Sequence, residues 1–377
     1  MASHLTERPL SALTIVLFCA GIALLIWGAD LLVGGASRLA AAAGVSPLLI
    51  GLTIVAIGTS APELAVSVLA VFEDEADLTL GNVVGSNIAN VLLVLGMAAV
   101  IAPLCVATRL LRREVPLMIG VSLLLWLLAM DGGVGRLDGL LLVLLLGGFL
   151  AVTVLTRHAD DVPAEAAPAR PTTSPRALTR NITLVIVGLG LLVLGAQWLV
   201  DGAVRFAEAL GVSELVIGLT VVAVGTALPE IATSVLAGLR GERDIAVGNL
   251  VGSNIMNILG VLGISALVAP AGIPVPPSAL DFDLPVMTAA AVACLPIFFT
   301  GRLVARWEGA LFLAYYAAYA GYLVLEVTGS GATRAFGAAM LYFAVPLTVV
   351  TLGVVLLQAR GVAAECEPEG DRTRVGS

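Results

Sequence analysis

The feature that most constrains the fold of this chain is an apolar stretch containing a proline–glutamate pair, which occurs twice. The first copy reads GLTIVAIGTSAPE from Gly51 to Glu63, and the second reads GLTVVAVGTALPE from Gly218 to Glu230. A carboxylate inside an apolar membrane segment costs about 2.5–3.5 kcal/mol on insertion scales, so such residues are usually functional. Two of them at the same place in a repeat predict one site to which both halves of the chain contribute.

A second motif follows each copy. It reads GNVVGSNIAN from Gly81 to Asn90 in the first half and GNLVGSNIMN from Gly248 to Asn257 in the second. One offset of 167 residues relates both pairs of motifs and continues into the flanking sequence. The two halves are therefore predicted to share one structure.

The composition places the chain in the membrane. Hydrophobic residues make up 59% of the 377 residues, charged residues make up 12%, and the mean hydropathy is +1.06. These values are typical of polytopic membrane proteins in a lipid bilayer. The net charge is −8 and no basic patch accompanies it, so a nucleic-acid partner is not expected.

The repeat and the apolar segments divide the chain into five parts. These are a first transmembrane repeat of five helices (10–157), a linker (158–180), a second five-helix repeat (181–328), an extra helix (334–358) and a polar tail (359–377). An odd number of spans makes the second repeat enter the membrane upside down. The predicted fold is an all-α integral membrane protein with two inverted five-helix repeats and one extra C-terminal transmembrane helix.

The arginines predict how the chain is oriented. If the N-terminus lies outside, only Arg8, Arg136, Arg205 and Arg334 fall in outer segments, and the other arginines lie on the opposite side. Cytoplasmic loops are enriched in basic residues. We therefore predict a multi-pass protein of the cell (inner or plasma) membrane, with the N-terminus outside and both the linker and the C-terminal tail in the cytoplasm.

The prolines predict a break in the second helix of each half. Pro62 lacks an amide hydrogen and crowds the carbonyl of Gly58, so backbone carbonyls become free beside Thr59, Ser60 and Glu63. Free carbonyls inside a membrane are tolerated only where protein or a water-filled cavity satisfies them. The second half repeats the pattern with Gly225, Thr226, Pro229 and Glu230.

The third and eighth helices contribute further oxygen atoms. Ser86 and Asn90 are four residues apart and share a helix face, as do Ser253 and Asn257. With no thiolate or imidazole, this set suits Ca²⁺, Na⁺ or Mg²⁺, and the predicted metal ligands are Glu63, Glu230, Asn90 and Asn257. The remaining motif asparagines (Asn82, Asn87, Asn249 and Asn254) are interpreted as packing or hinge groups.

These motifs resemble the paired α-repeats of the cation/Ca²⁺ antiporter superfamily, closest to the prokaryotic sodium/calcium exchangers, over residues 10–327. The resemblance implies that Glu63 and Glu230 are the central ligands and that the first and sixth helices slide across the core to alternate access. The other ligands that it implies are Thr59, Ser60, Ser86, Asn90 and the Ala56 carbonyl in the first half, and Thr226, Ser253, Asn257 and the Ala223 carbonyl in the second.

Two positions depart from the family pattern that the resemblance supplies. Ala227 stands where a serine is expected, so one hydroxyl ligand is absent, and Asn257 stands where some relatives have an aspartate. Both differences make the site less anionic or less fully coordinated. They bear on the choice of ion and on stoichiometry rather than on the class of protein.

The predicted function is a secondary active antiporter that exports Ca²⁺ in exchange for Na⁺, with the transported ions as its only ligands and no cofactor. An H⁺/Ca²⁺ antiporter, or one for another cation, remains an alternative because buried glutamates can serve either coupling. No obligate protein partner is evident. An enzyme is not expected, since the apolar segments lack the Ser–His or paired-Asp arrangement of an intramembrane hydrolase, and inverted repeats favour alternating access over a passive channel.

Overall fold

The computed structural model describes residues 12–43, 45–73, 75–156, 175–209, 223–299, 302–346, 348–350 and 353. Within these ranges nine helices are long and apolar enough to cross a membrane, and a tenth apolar helix is shorter. In chain order the helices are α1 Ala12–Ala43, α2 Pro47–Phe72, α3 Leu78–Ile101, α4 Leu110–Asp131, α5 Arg136–Leu155, α6 Pro175–Ala209, α7 Leu228–Leu239, α8 Arg243–Val268, α9 Ala279–Phe299, α10 Arg306–Val327 and α11 Thr333–Ala339.

The limits of several elements differ from the sequence-based expectation. Helix α6 begins at Pro175, inside the predicted linker, because proline fits the first turn of a helix and good helix formers follow it. Residues 157–174, 210–222 and 354–377 lie outside the described residues. The polar tail, most of the linker and the first part of the seventh predicted helix fall there, as does the end of the predicted extra helix, of which α11 and a π-helical turn at Met340–Ala344 are described.

Both predicted breaks are present in the backbone. In α2, Ser60 leaves the helical conformation at φ −83° and ψ 1°, and a new helical segment, Ala61–Phe72, starts with Pro62 in its first turn. Ala227 adopts φ −84° and ψ −1° between the short helix Ala223–Thr226 and α7. A helix accepts a proline in its first turn, whereas a proline in its interior interrupts the hydrogen bonding. Each break therefore falls two residues before the proline.

The described residues contain six π-helical turns that were not predicted, and two of them lie at the repeated motif. These two cover Asn90–Leu95 in α3 and Asn257–Leu262 in α8, so each begins at the last asparagine of the repeated motif. A π turn holds one more residue per hydrogen-bonded ring than an α turn, and it is found mostly at functional sites. Its position here changes the direction of the helix face immediately after each asparagine.

Helices α3 and α8 form the centre of the protein. In their most apolar windows 72% and 83% of the residues are buried inside the protein, compared with 28% for both α1 and α6. Helices α2 and α8 pack closely through glycines, because a Cβ atom on Gly51 would lie 2.9 Å from the Ile245 carbonyl oxygen. The polar residues of both copies of the second motif, which ends at Asn90 and at Asn257, are therefore carried by the inner helices.

Helices α1 and α6 form an antiparallel pair on the outside of this core. A Cβ atom on Gly21 would lie 2.8 Å from the carbonyl oxygen of Gly195, and one on Gly28 would lie 2.8 Å from that of Gly188. Residue numbers increase along α1 in the direction in which they decrease along α6, so the two helices are antiparallel. Only glycine allows the two backbones to approach so closely, as at other small-residue helix contacts in membranes.

Four short strands connect the two halves. Strand β1 (Leu104–Cys105) follows α3 and pairs antiparallel with β4 (Leu303–Val304), which lies between α9 and α10. Strand β2 (Gly133–Val134) lies between α4 and α5 and pairs with β3 (Ile273–Pro274), between α8 and α9. In both pairs, the loop after the third helix of one half is thus joined to the loop after the fourth helix of the other half.

Candidate functional site

The two helix breaks meet α3 and α8 in the middle of the protein. The Thr59 hydroxyl lies 3.2 Å from the Ser253 hydroxyl and donates a hydrogen bond of 3.1 Å to the Asn249 Oδ1 atom. Glu63 is 3% exposed and Glu230 is 1% exposed, and the two carboxyl groups interact electrostatically. Residues from both halves therefore enclose one polar centre, as the repeat predicted.

This centre contains buried polar atoms that have no hydrogen-bond partner among the described residues. They are the Ser60 Oγ atom, the Glu63 Oε2 atom, the Asn90 Nδ2 atom, both carboxylate oxygens of Glu230 and the Asn257 Oδ1 atom. A buried polar group without a partner costs about 1–3 kcal/mol, and more if it is charged. Oxygen atoms concentrated in this way suit coordination of a positive ion, which satisfies several of them at once.

The donor set favours a hard cation. It consists of carboxylate, hydroxyl and amide oxygens, and no cluster of three or more His, Cys, Asp or Glu side chains occurs in the described part of the chain. Ca²⁺ and Na⁺ prefer such oxygens, whereas Zn²⁺ favours nitrogen and sulfur ligands. The two glutamates can balance the charge of one divalent ion.

The other predicted ligand residues on α2, α3 and α8 are also buried. Ser86 is 7% exposed and Asn90 is 2% exposed, both on α3, and Ser253 and Asn257 are fully buried on α8. The Ala56 carbonyl accepts a hydrogen bond of 3.0 Å from the Ser60 amide.

In the second half, the short helix Ala223–Thr226 precedes the break. Thr226 is half-buried at its end. Ala223 is its first residue and directly follows the undescribed range 210–222, so the structure describes less of the second half's break than of the first.

Two asparagines that the sequence assigned to packing are direct neighbours of the site. Asn249 accepts from Thr59 and donates to the Ser234 hydroxyl at 3.4 Å. Its counterpart Asn82 donates to the Ser67 hydroxyl at 2.9 Å and to the Glu63 backbone carbonyl at 3.2 Å. Both stand four residues before the motif serine, and this i, i+4 spacing was a sequence signal that placed them on the ligand-bearing face.

The fold and the site define a multi-pass membrane transport protein with two homologous halves and a buried carboxylate pair. The sequence model of the family described as "Sodium/calcium exchanger protein" matches residues 13–155 and 180–325. The chain therefore belongs to the sodium/calcium exchanger family, whose members are transporters.

Individual relatives agree with this assignment. The chain is 42% identical over 313 residues to the putative antiporter CaxA of Alkalimonas amylolytica, an alignment that covers 79% of this chain and 95% of that protein. It is 33% identical over 337 residues to the sodium/calcium exchanger MaX1 of Methanosarcina acetivorans, with 79% and 95% covered. The solved structure of the sodium-calcium exchanger NCX_Mj superimposes with a TM-score of 0.71 at 32% identity, covering 82% of this chain and 99% of that one.

Proposed function

We propose that this protein is a secondary active antiporter that exports Ca²⁺ in exchange for Na⁺ by alternating access. The observation that carries the proposal is the buried pair Glu63 and Glu230, surrounded by hydroxyl and amide oxygens from both halves. Two carboxylates match the charge of one Ca²⁺ ion or of two Na⁺ ions, so one site can hold either cargo in turn. Two of its relatives are named as sodium/calcium exchangers, which supports this pair of ions.

The proposal includes inverted repeats. Successive loops of a membrane protein lie at opposite faces of the membrane, so the α3–α4 loop and the α4–α5 loop of one half are separated by the bilayer. Strands β1 and β4 pair the α3–α4 loop with the α9–α10 loop, and strands β2 and β3 pair the α4–α5 loop with the α8–α9 loop. In each pair, the loop after the third helix of one half lies beside the loop after the fourth helix of the other half. This pairing supports opposite orientations of the halves, as does the antiparallel contact of α1 with its repeat counterpart α6.

The proposed topology follows from the arginine distribution. The N-terminus lies outside, the linker and C-terminal tail lie in the cytoplasm, and the repeats 10–157 and 181–328 contribute ten spans, with the helix 334–358 as an eleventh. The β1–β4 pair then lies at the cytoplasmic face and the β2–β3 pair lies at the outer face. Arg109, Arg240 and Arg302, at the α3–α4, α7–α8 and α9–α10 connections, share the cytoplasmic face, which agrees with the positive-inside rule.

The test is ⁴⁵Ca²⁺ uptake into proteoliposomes that hold the purified protein. An outward Na⁺ gradient is expected to drive uptake, and a pH gradient of equal size is not. Glu63→Gln and Glu230→Gln are each expected to lower uptake about 100-fold, equivalent to about 2.7 kcal/mol, because each variant removes one of the two negative charges that balance the bound cation. Glu73→Gln, on an exposed acid at the end of α2, is the matched control.

The outcomes separate the candidate couplings. Uptake with the pH gradient alone would replace the proposal by H⁺/Ca²⁺ exchange at the same site. Uptake that both glutamine variants retain in full would show that this carboxylate pair does not bind the cargo.

A further inference from the structure

The amide of Asn257 has two chemically different ends. Its oxygen can bind a cation, whereas its NH₂ group carries partial positive charge and repels one. Asn257 is fully buried on α8, at the first residue of the π turn. Something must therefore decide which end faces the transported ion.

The hydrogen bonds of Asn257 make that choice. Its Nδ2 atom donates to the Oδ1 atom of Asn87 at 3.2 Å, and its Oδ1 atom has no partner in the part of the chain that the structure describes. The nitrogen end is thus engaged by α3 of the other half, and the oxygen end is left for a ligand. If the Asn257 amide were flipped, the Oδ1 atoms of Asn257 and Asn87 would face each other.

Asn87 is itself fixed in one orientation. Its Nδ2 atom donates to the Asn254 backbone carbonyl at 3.4 Å and contacts the Met287 Sδ atom at 3.7 Å. The side chains of Asn87 and Met287 are 3% and 2% exposed, so water does not compete for these contacts. Because a buried amide takes the direction that its hydrogen-bond network demands, the Oδ1 atom of Asn87 must point to Asn257.

The mirror contact in the other half is not formed. The 167-residue offset relates Asn254 to Asn87 and Asn90 to Asn257. Asn254 donates to the Met118 Sδ atom at 3.3 Å, which matches the Asn87–Met287 contact. However, neither the Asn254 Oδ1 atom nor the Asn90 Nδ2 atom has a hydrogen-bond partner within the described ranges. Only one of the two ligand amides is held by its neighbour.

We propose that Asn87 is a positioning residue that holds the Asn257 amide with its oxygen toward the transported cation. The inference rests on the proposed function, because it takes the cation to bind between the two glutamates. Asn87 does not touch the ion and acts through Asn257. The first half of the chain thereby fixes a ligand of the second half, so the site is preorganised across the interface of the two halves.

The test is a double-mutant cycle with Asn257→Asp. Asn87→Leu is expected to raise the Ca²⁺ concentration for half-maximal uptake about tenfold, the lower end of the range for residues that orient metal ligands. A carboxylate carries oxygen at both ends and needs no orienting partner. In the Asn257→Asp background the same change is therefore expected to shift the half-maximal concentration by less than about twofold, a coupling that only interacting residues display.

Controls distinguish positioning from general damage. Asn254→Leu makes the same change at the counterpart position and is expected to show no coupling with Asn257→Asp. If Asn87→Leu does not yield folded protein, Asn87→Ser enters the same cycle, since it also removes the acceptor from reach of Asn257. A purely structural role for Asn87 would lower the maximal rate equally in both backgrounds, and that result overturns the proposal.

The experiment also separates this inference from the proposed function. The wild type is first assayed with Ca²⁺, Sr²⁺, Mg²⁺ and Na⁺ as cargo, and the cycle is run with the cation that it transports. Transport of another cation without transport of Ca²⁺ would reject Ca²⁺ export, while the coupling would still decide the role of Asn87. If the wild type transports none of these cations, and none of them raises its melting temperature, both proposals fail.

Discussion

The second segment of α2 (Ala61–Phe72) and α7 are the same structure in two different environments. Both begin at a proline break, carry the buried glutamate in the first turn and have twelve residues. Yet Val66 is 51% exposed, whereas its counterpart Thr233 is fully buried, and Leu69 is 58% exposed where Leu236 is partly covered. Similar local sequences therefore do not produce the same surroundings.

The difference comes from the position of the α1–α6 pair, which packs on α7. Arg240, just after α7, forms an ion pair with Asp30 of α1 and donates to its backbone carbonyl at 3.0 Å. Ser37 of α1 donates to Glu242 at 2.6 Å. These contacts tie α1 to the connection between α7 and α8.

The sequence provides no second set of such contacts. The counterparts of Asp30, Ser37 and Arg240 are Gln197, Val204 and Glu73, a set without the basic group and the hydroxyl that these contacts need. With the proposed topology, the tied end lies at the cytoplasmic face and the exposed segment of α2 lies toward the outside. The two halves of the site are therefore nearly symmetric, whereas the helix contacts that cover them are not.

The largest expected effect is on accessibility. In a variant without Cys19, Val66→Cys is expected to react with a small membrane-permeant thiol reagent about 100-fold faster than Thr233→Cys, because a fully buried thiol reacts only after local opening. The rates are measured by mass spectrometry on the reconstituted protein. Equal rates would break the comparison, since the two segments would then be equally open.

The next effect concerns the contact that joins the halves at the site. Thr59→Val removes the donor to Asn249 and the partner of Ser253, which leaves two buried polar groups unpaired. Uptake at low Ca²⁺ is expected to fall about tenfold, equivalent to about 1.4 kcal/mol. Thr53→Val, earlier in α2, is the matched control because its hydroxyl bonds only the Leu49 carbonyl of its own helix. A similar loss in both variants would argue against a special role for Thr59.

A smaller effect is expected at the Asp30–Arg240 ion pair. Arg240→Glu is expected to slow labelling of Val66→Cys and to speed labelling of Thr233→Cys, each about threefold, because partly exposed ion pairs contribute at most about 1 kcal/mol. The double variant Asp30→Arg with Arg240→Glu restores opposite charges and should return both rates toward their starting values. If it does not, the ion pair has no part in the closure.

The smallest effect is expected at the hydroxyl that the second half lacks. Ala227 is 3% exposed, and its counterpart Ser60 has a buried Oγ atom that bonds none of the described residues. Ala227→Ser is expected to lower the Ca²⁺ concentration for half-maximal uptake about twofold, and Ser60→Ala to raise it by a similar factor, as one modest polar contact allows. Calcium titration of uptake measures both, and shifts in the same direction would reject equivalent roles.

Much of the architecture could be predicted because it depends on local rules. Proline chemistry located the breaks at Pro62 and Pro229, and hydropathy located the spanning helices. Family membership also followed from the motif residues and is confirmed. The π turns at Asn90 and Asn257 were missed, because they arise from packing and leave no signature in propensity. The start of α6 at Pro175 was missed because a polar, arginine-rich stretch was interpreted as linker.

The sequence by itself determined that this is a membrane protein with two equivalent halves and two glutamates at helix breaks, since hydrophobicity, proline geometry and repetition act over short stretches of chain. Only the tertiary structure decided which oxygens meet, which end of the Asn257 amide is free and which half is covered by α1 and α6. These properties depend on contacts between residues more than 150 positions apart, as between Asn87 and Asn257, and no local pattern encodes such a contact.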